Sequence, residues 1–144
     1  MPYVVVDTNI FIRAILKPIS SDGEIYKMFL NGKVLLYFSE IMVKEISRVL
    51  RYPRIKNKYQ LTEETIITFL NTIFGFGKMV NPTERIELCR DPDDNELLSL
   101  AASISSSKEV YLLSGDRDLL VLKGKMEKVI IMTPQEFLKS KVHW

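Results

Sequence analysis

The sequence predicts an α/β fold built on a mostly parallel sheet. Short apolar runs rich in β-branched residues alternate with segments whose apolar positions recur at helical spacing. The first run, Tyr3-Val4-Val5-Val6, is apolar at successive positions, the pattern of a strand covered on both faces. Two of the runs end alike: Val6 leads into Asp7, and Leu113-Ser114-Gly115 leads into Asp116.

Each element has its own signal. After Asp7-Thr8-Asn9, residues 10–16 read as a short buried helix. Residues 24–30 form a second helix, closed by Asn31-Gly32. Residues 34–38 are a second buried strand, and Ser39 is placed to cap a helix with Ile41, Met42, Ile46, Val49 and Leu50 on one face. Pro53 stops or kinks that helix. Residues 61–74 form an amphipathic helix with Thr62 as cap and Glu63 and Glu64 at its positive end, broken by Gly75 and Gly77. Residues 79–80 suit a short third strand.

Asp91-Pro92-Asp93-Asp94 opens a helix to about residue 106, with Leu97, Leu98, Leu100, Ala101 and Ile104 as its packing face. Residues 110–113 and 129–132 are the fourth and fifth strands. Asp118 is placed to cap a helical turn over residues 119–121. Thr133-Pro134-Gln135-Glu136 carries a cap, a proline at the first helical position and a glutamate for a capping box. Residues 1–144 show no repeat or linker and read as one domain.

At 47% hydrophobic and 26% charged, the composition excludes disorder and a disulfide scaffold. A formal charge of +2 is too small for coating nucleic acid by bulk charge, so any such contact must rest on a local basic patch. One cysteine, Cys89, and one histidine, His143, cannot build a Cys/His zinc site. No apolar run approaches the ~20 residues that span a bilayer, and the first 16 residues lack the pattern of a signal peptide. The expected location is the cytoplasm, with no membrane partner.

In an open parallel sheet, ligands bind beyond the carboxyl ends of the strands. Asp7 and Asp116 both belong at that edge. Asp94 or Asp91, starting the helix before the fourth strand, can approach it, and Glu45 can lean over it from the helix after the second. Carboxylates gathered in one place repel, and a hard divalent cation such as Mg²⁺ or Mn²⁺ relieves the conflict. The chemistry suggested is metal-assisted phosphodiester hydrolysis. Each acid also has a structural role open to it. Asp7 and Asp91 can cap the helices that follow, Asp94 can complement a helix dipole, and Glu45 can face solvent.

Val5-Val6-Asp7-Thr8-Asn9 resembles the opening of PIN domains, a family of metal-dependent ribonucleases. The likeness continues through Glu45 with Val49-Leu50-Arg51 and Pro53, then Arg90-Asp91-Pro92-Asp93-Asp94-Asn95, Ser114-Gly115-Asp116-Arg117-Asp118-Leu119-Leu120 and Thr133-Pro134-Gln135-Glu136-Phe137-Leu138. It is nearest to the subfamily of toxins from toxin–antitoxin systems. The resemblance implies a three-layer α/β/α fold with strand order 3-2-1-4-5 and a pocket for one or two Mg²⁺ or Mn²⁺ ions. It implies Asp7, Glu45, Asp94 and Asp116 as catalytic acids, with Asp7, Asp94 and Asp116 as metal ligands and Asp91 and Asp93 as the alternatives to Asp94 in the acidic run. Thr8 and Asn9 would orient Asp7, Ser114 would supply a supporting hydroxyl, and Asp118 and Asp91 would be auxiliary. The sequence departs from the subfamily at Glu40, usually Pro, and Ile41, often Glu. The implied reaction is in-line attack by metal-activated water on RNA, leaving a 5′-phosphate and a 3′-hydroxyl. A cognate antitoxin and a homodimer are implied partners.

Arg48, Arg51, Arg54, Lys56 and Lys58, interleaved with Tyr52 and Tyr59, form the densest basic stretch and a candidate RNA contact. Arg13 and Lys17 are a second candidate beside Asp7; a solvated surface is the plain alternative for both. A haloacid-dehalogenase phosphatase wants an Asp where Asn9 stands. No P-loop and no dinucleotide-binding glycine cluster occurs. The rival from another class is a catalytically silent module of the same fold that binds RNA or protein. Within nucleases, a housekeeping RNA-processing enzyme competes with a toxin.

Overall fold

The computed structural model describes residues 1–106 and 108–140. His143 lies outside the described residues. Five strands, β1 (Tyr3–Val6), β2 (Leu35–Phe38), β3 (Lys78–Met79), β4 (Val110–Leu113) and β5 (Val129–Met132), form one all-parallel sheet in the order β3-β2-β1-β4-β5. The helices are α1 (Thr8–Leu16), α2 (Ser21–Leu30), α3 (Glu40–Leu50), α4 (Pro53–Lys58), α5 (Glu63–Phe76), α6 (Pro92–Ile104), α7 (Arg117–Leu120) and α8 (Pro134–Lys139). The strand order reverses at β1, so right-handed crossovers send the helices of the two halves to opposite faces. The three-layer α/β/α fold is that predicted.

β1 sits at the centre because it can be covered on both sides: Val4, Val5 and Val6 are buried, as are Leu36 and Phe38 in β2 and Leu112 and Leu113 in β4. α6 packs on β1 and β4, while α1 packs on α2 and α3. Among the described residues, no helix is long and apolar enough to cross a membrane.

Helix starts follow short polar side chains. Ser39, Thr62, Asp91 and Thr133 cap α3, α5, α6 and α8, and the Thr133–Glu136 capping box is complete. Several boundaries differ from expectation. α1 begins at Thr8 because Asp7 itself is the cap, and α2 begins at Ser21 because Ser20 accepts the Gly23 N–H. Gly23 has no substitute there: a Cβ would stand 1.9 Å from the Pro18 carbonyl oxygen. Pro53 does more than end a helix, since it occupies the first turn of α4. α5 runs through Gly75, where a Cβ would meet nothing, and stops at Gly77, where one would lie 2.8 Å from the Phe38 ring. The turn α7 is capped by Asp116, not by Asp118 as the sequence suggested.

Residues 80–91 connect β3 to α6 without helix or strand. A polar stripe on α6 holds this segment. Asn95 Oδ1 accepts the Cys89 N–H at 2.8 Å and its amide donates to the Cys89 carbonyl at 2.9 Å. Ser99 Oγ accepts from Ile86 N at 2.9 Å, and Ser103 Oγ from Thr83 N at 3.1 Å. The spacing of four keeps the three side chains on one helix face.

Candidate metal centre

The carboxyl ends of β1 and β4 lie side by side, with the Asp7 N–H bonded to the Leu113 carbonyl at 2.9 Å. This register brings Asp7 and Asp116 to one edge. α3 and α6 close over it, giving a cleft of about 60 Å³ lined by acids from both helices as well as from the sheet.

Asp7 is held through both oxygens. Oδ1 accepts the Asn9 N–H at 3.0 Å and Oδ2 accepts Ser114 Oγ at 2.8 Å. Asp7 therefore caps α1 and faces the cleft at once. Burial pushes its carboxyl above the ordinary range; the two hydrogen bonds and Arg13 oppose this, while Asp116 adds to it. Thr8 lines the cleft, and Asn9 acts on Asp7 through its backbone amide.

Asp94 is 4% exposed, and its Oδ2 is buried with no hydrogen-bond partner among the described residues. Burial, then its contact and charge repulsion with Asp116, raises its pKa to about 7; Asp91 and Asp7 add to the effect. Carboxylate oxygens of Asp94, Asp116 and Asp118 lie within 4.8 Å of one another. A lone buried carboxylate oxygen is costly unless something positive meets it. An all-oxygen donor set of this kind fits a hard divalent cation.

Glu45 is partly buried on α3, and its carboxyl is raised first by burial and then by Asp93, with Arg48 opposing. Asp91 is exposed and its Oδ1 accepts the Asp93 N–H, so its side chain is engaged as the α6 cap while also lining the cleft. Asp118 stands outside that lining and contacts Arg90 through both oxygens at 3.3–3.4 Å.

Asp93, an alternative to Asp94 in the acidic run, also lines the cleft, as does Glu96, which sequence reasoning did not single out. Glu96 is buried, with Oε1 unpartnered among the described residues and Oε2 3.5 Å from Arg85. Its place beside Leu97 and Leu98, near the packing face of α6, is the signal that could have marked it.

The basic residues are less gathered. Arg13 Nε is 2.6 Å from Asp22, and Arg51 is bound to Glu63 at 3.0 Å and to Ser47. Lys56 shares Glu63, while Arg48 approaches Glu45 at 4.0 Å. Arg51 caps the far end of α3, roughly 13 Å along the helix from Met42 at ~1.5 Å per residue, and Arg54 follows in α4. Among the described residues, Lys17 and Arg54 have no ion pair.

The sequence matches the PIN domain family over residues 3–118. It is also 31% identical, over 144 aligned residues, to the uncharacterized protein MJ1680 of Methanocaldococcus jannaschii, covering 95% of this chain and 90% of that protein. With strand order, acidic sheet edge and family match in agreement, the chain belongs to the PIN domain family, whose fold is that of metal-dependent nucleases.

Proposed function

We propose that this protein is a ribonuclease that uses Mg²⁺ or Mn²⁺ to hydrolyse RNA phosphodiester bonds. The observation carrying this is the unpartnered, buried Oδ2 of Asp94 within a cluster of acids at the sheet edge. Asp7, Asp94 and Asp116 would hold the cation. When bound, it supplies an activated water and offsets charge on the leaving oxygen. Glu45 faces the same cleft and can accept a proton from the attacking water. Ser114 would keep Asp7 turned toward the cleft, which Thr8 also lines.

The finer reading is an endonuclease acting in the cytoplasm as the toxin of a toxin–antitoxin module, as one domain over residues 1–144, with an antitoxin and a second copy of the chain as partners. Its support is the motif resemblance. Incubation of RNA with the protein in Mn²⁺ or in EDTA tests the activity. Cleavage in Mn²⁺ alone, absent in Asp7→Asn that melts like wild type, is the expected result. Equal cleavage by that variant would remove Asp7 from the reaction.

A further inference from the structure

The geometry points to Arg90 as the residue that positions the RNA phosphate at the acidic cleft, with Asp118 as its tether; this rests on the ribonuclease reading above. A phosphodiester brings negative charge to a cleft already lined by carboxylates, so a positive group at the rim would offset repulsion there. Several arginines stand near. Arg13 is committed to Asp22 at 2.6 Å, and Arg85 to Glu96 and Glu87. Arg48 lies 4.0 Å from Glu45, too long for a hydrogen bond, so its side chain is not preset.

Arg90 differs from all of these. Its side chain is 91% exposed, yet Nη2 is fixed on both oxygens of Asp118 at 3.3–3.4 Å. Nε and Nη1 have no partner among the described residues, which leaves donors for phosphate oxygens. The Asp118 carboxylate lies within 4.8 Å of oxygens of Asp94 and Asp116, so the tether sets the guanidinium at the edge of the proposed cation site. The backbone is fixed as well. Cys89 is clamped by Asn95 at 2.8 and 2.9 Å, its Sγ lies 3.5 Å from the Asp118 carbonyl oxygen, and Asp91 is bound into the cap of α6. Arg90 thus sits between two anchored neighbours. Asp118 is near enough to ligate a cation but stands outside the cleft lining, which suits a residue that holds Arg90.

The test is binding of a labelled single-stranded RNA in Ca²⁺, read by fluorescence anisotropy across a salt series, with Mn²⁺ binding to RNA-free protein measured separately by calorimetry. Arg90→Ala should bind RNA about tenfold more weakly and lower the salt slope by about 0.7, the loss of one phosphate contact on a single strand. Arg90→Lys should recover part of the affinity, as a point charge without the planar fork. Asp118→Asn should lose as much as Arg90→Ala, and the double variant no more than either. Mn²⁺ affinity should stay within about twofold of wild type in Arg90→Ala and Arg90→Lys. Wild-type affinity in Arg90→Ala would overturn the inference. So would an Asp118→Asn variant that binds Mn²⁺ tenfold more weakly but RNA normally, because Asp118 would then be a ligand. Wild-type protein that neither binds RNA nor cleaves it in Mn²⁺ would overturn the ribonuclease reading itself.

Discussion

Ser114 Oγ donates a 2.8 Å hydrogen bond to Oδ2 of Asp7, a residue 107 positions earlier in the chain. The same oxygen accepts the N–H of Asp116 at 3.0 Å. One fully buried hydroxyl thereby joins the acids that end β1 and β4. It acts on Asp7 by favouring the charged carboxylate against burial, which favours the neutral acid.

Ser114→Ala should therefore weaken Mn²⁺ binding by about tenfold, the range for losing a hydrogen bond that orients a metal ligand. Ser114→Thr, keeping the hydroxyl, should remain close to wild type. Calorimetric titration of both variants checks this. Wild-type affinity in the alanine variant would show that Asp7 is oriented by Asn9 and packing alone.

Stability without metal should depend on pH through Asp94. Its ordinary value is 3.8 and its folded value about 7, so across that interval the folded chain retains a proton that the unfolded chain releases. Stability conferred by the neutral acid is thus lost progressively from pH about 4 to about 7. A cation must displace that proton, so the melting-temperature gain from Mn²⁺ should be larger at pH 8 than at pH 5. Thermal melts in EDTA and in Mn²⁺ at both values measure the difference; a gain independent of pH would contradict the linkage.

Asp94→Asn separates stability from function. In EDTA at pH 8 the variant should melt higher than wild type, because a buried charge beside Asp116 has been removed. It should gain nothing from Mn²⁺. A lower melting temperature would mean that other groups compensate the Asp94 charge in the folded protein.

Asn95→Ala should cost about 1–3 kcal/mol, since it strips both the N–H and the carbonyl of Cys89 of their partners. Denaturant unfolding gives the number. Asn95→Asp, which retains an acceptor for the N–H but lacks a donor when ionised, should fall between the two.

Much of the architecture could be read in the sequence because it rests on local rules. Three consecutive valines make a central strand, and Ser39, Thr62, Asp91 and Thr133 each announce a helix through one oxygen. The order of the strands came from resemblance, since periodicity does not say which strands are neighbours. α4 was missed because Pro53 both terminates and initiates, and the sequence favours the first meaning. The acids of the 91–94 run look alike on paper, but helical rotation turns Asp94 inward against Asp116 and leaves Asp91 and Asp93 exposed. Arg90 was invisible as a site residue because its partner, Asp118, is 28 positions away. The stripe of Asn95, Ser99 and Ser103 was illegible for a related reason: small polar residues every fourth position suggest a wet helix face, whereas here they satisfy backbone of the preceding segment.

That stripe makes the β3–α6 connection a measured length rather than a slack loop. Thr83, Ile86 and Cys89 are pinned at intervals of three residues to positions four apart on α6, so adding or removing one residue between pins would put Thr83 or Ile86 out of phase with its serine on the helix. Sheet and helix would survive such an indel intact. Loop-length tolerance, ordinarily generous at a protein surface, should therefore be narrow from 83 to 91.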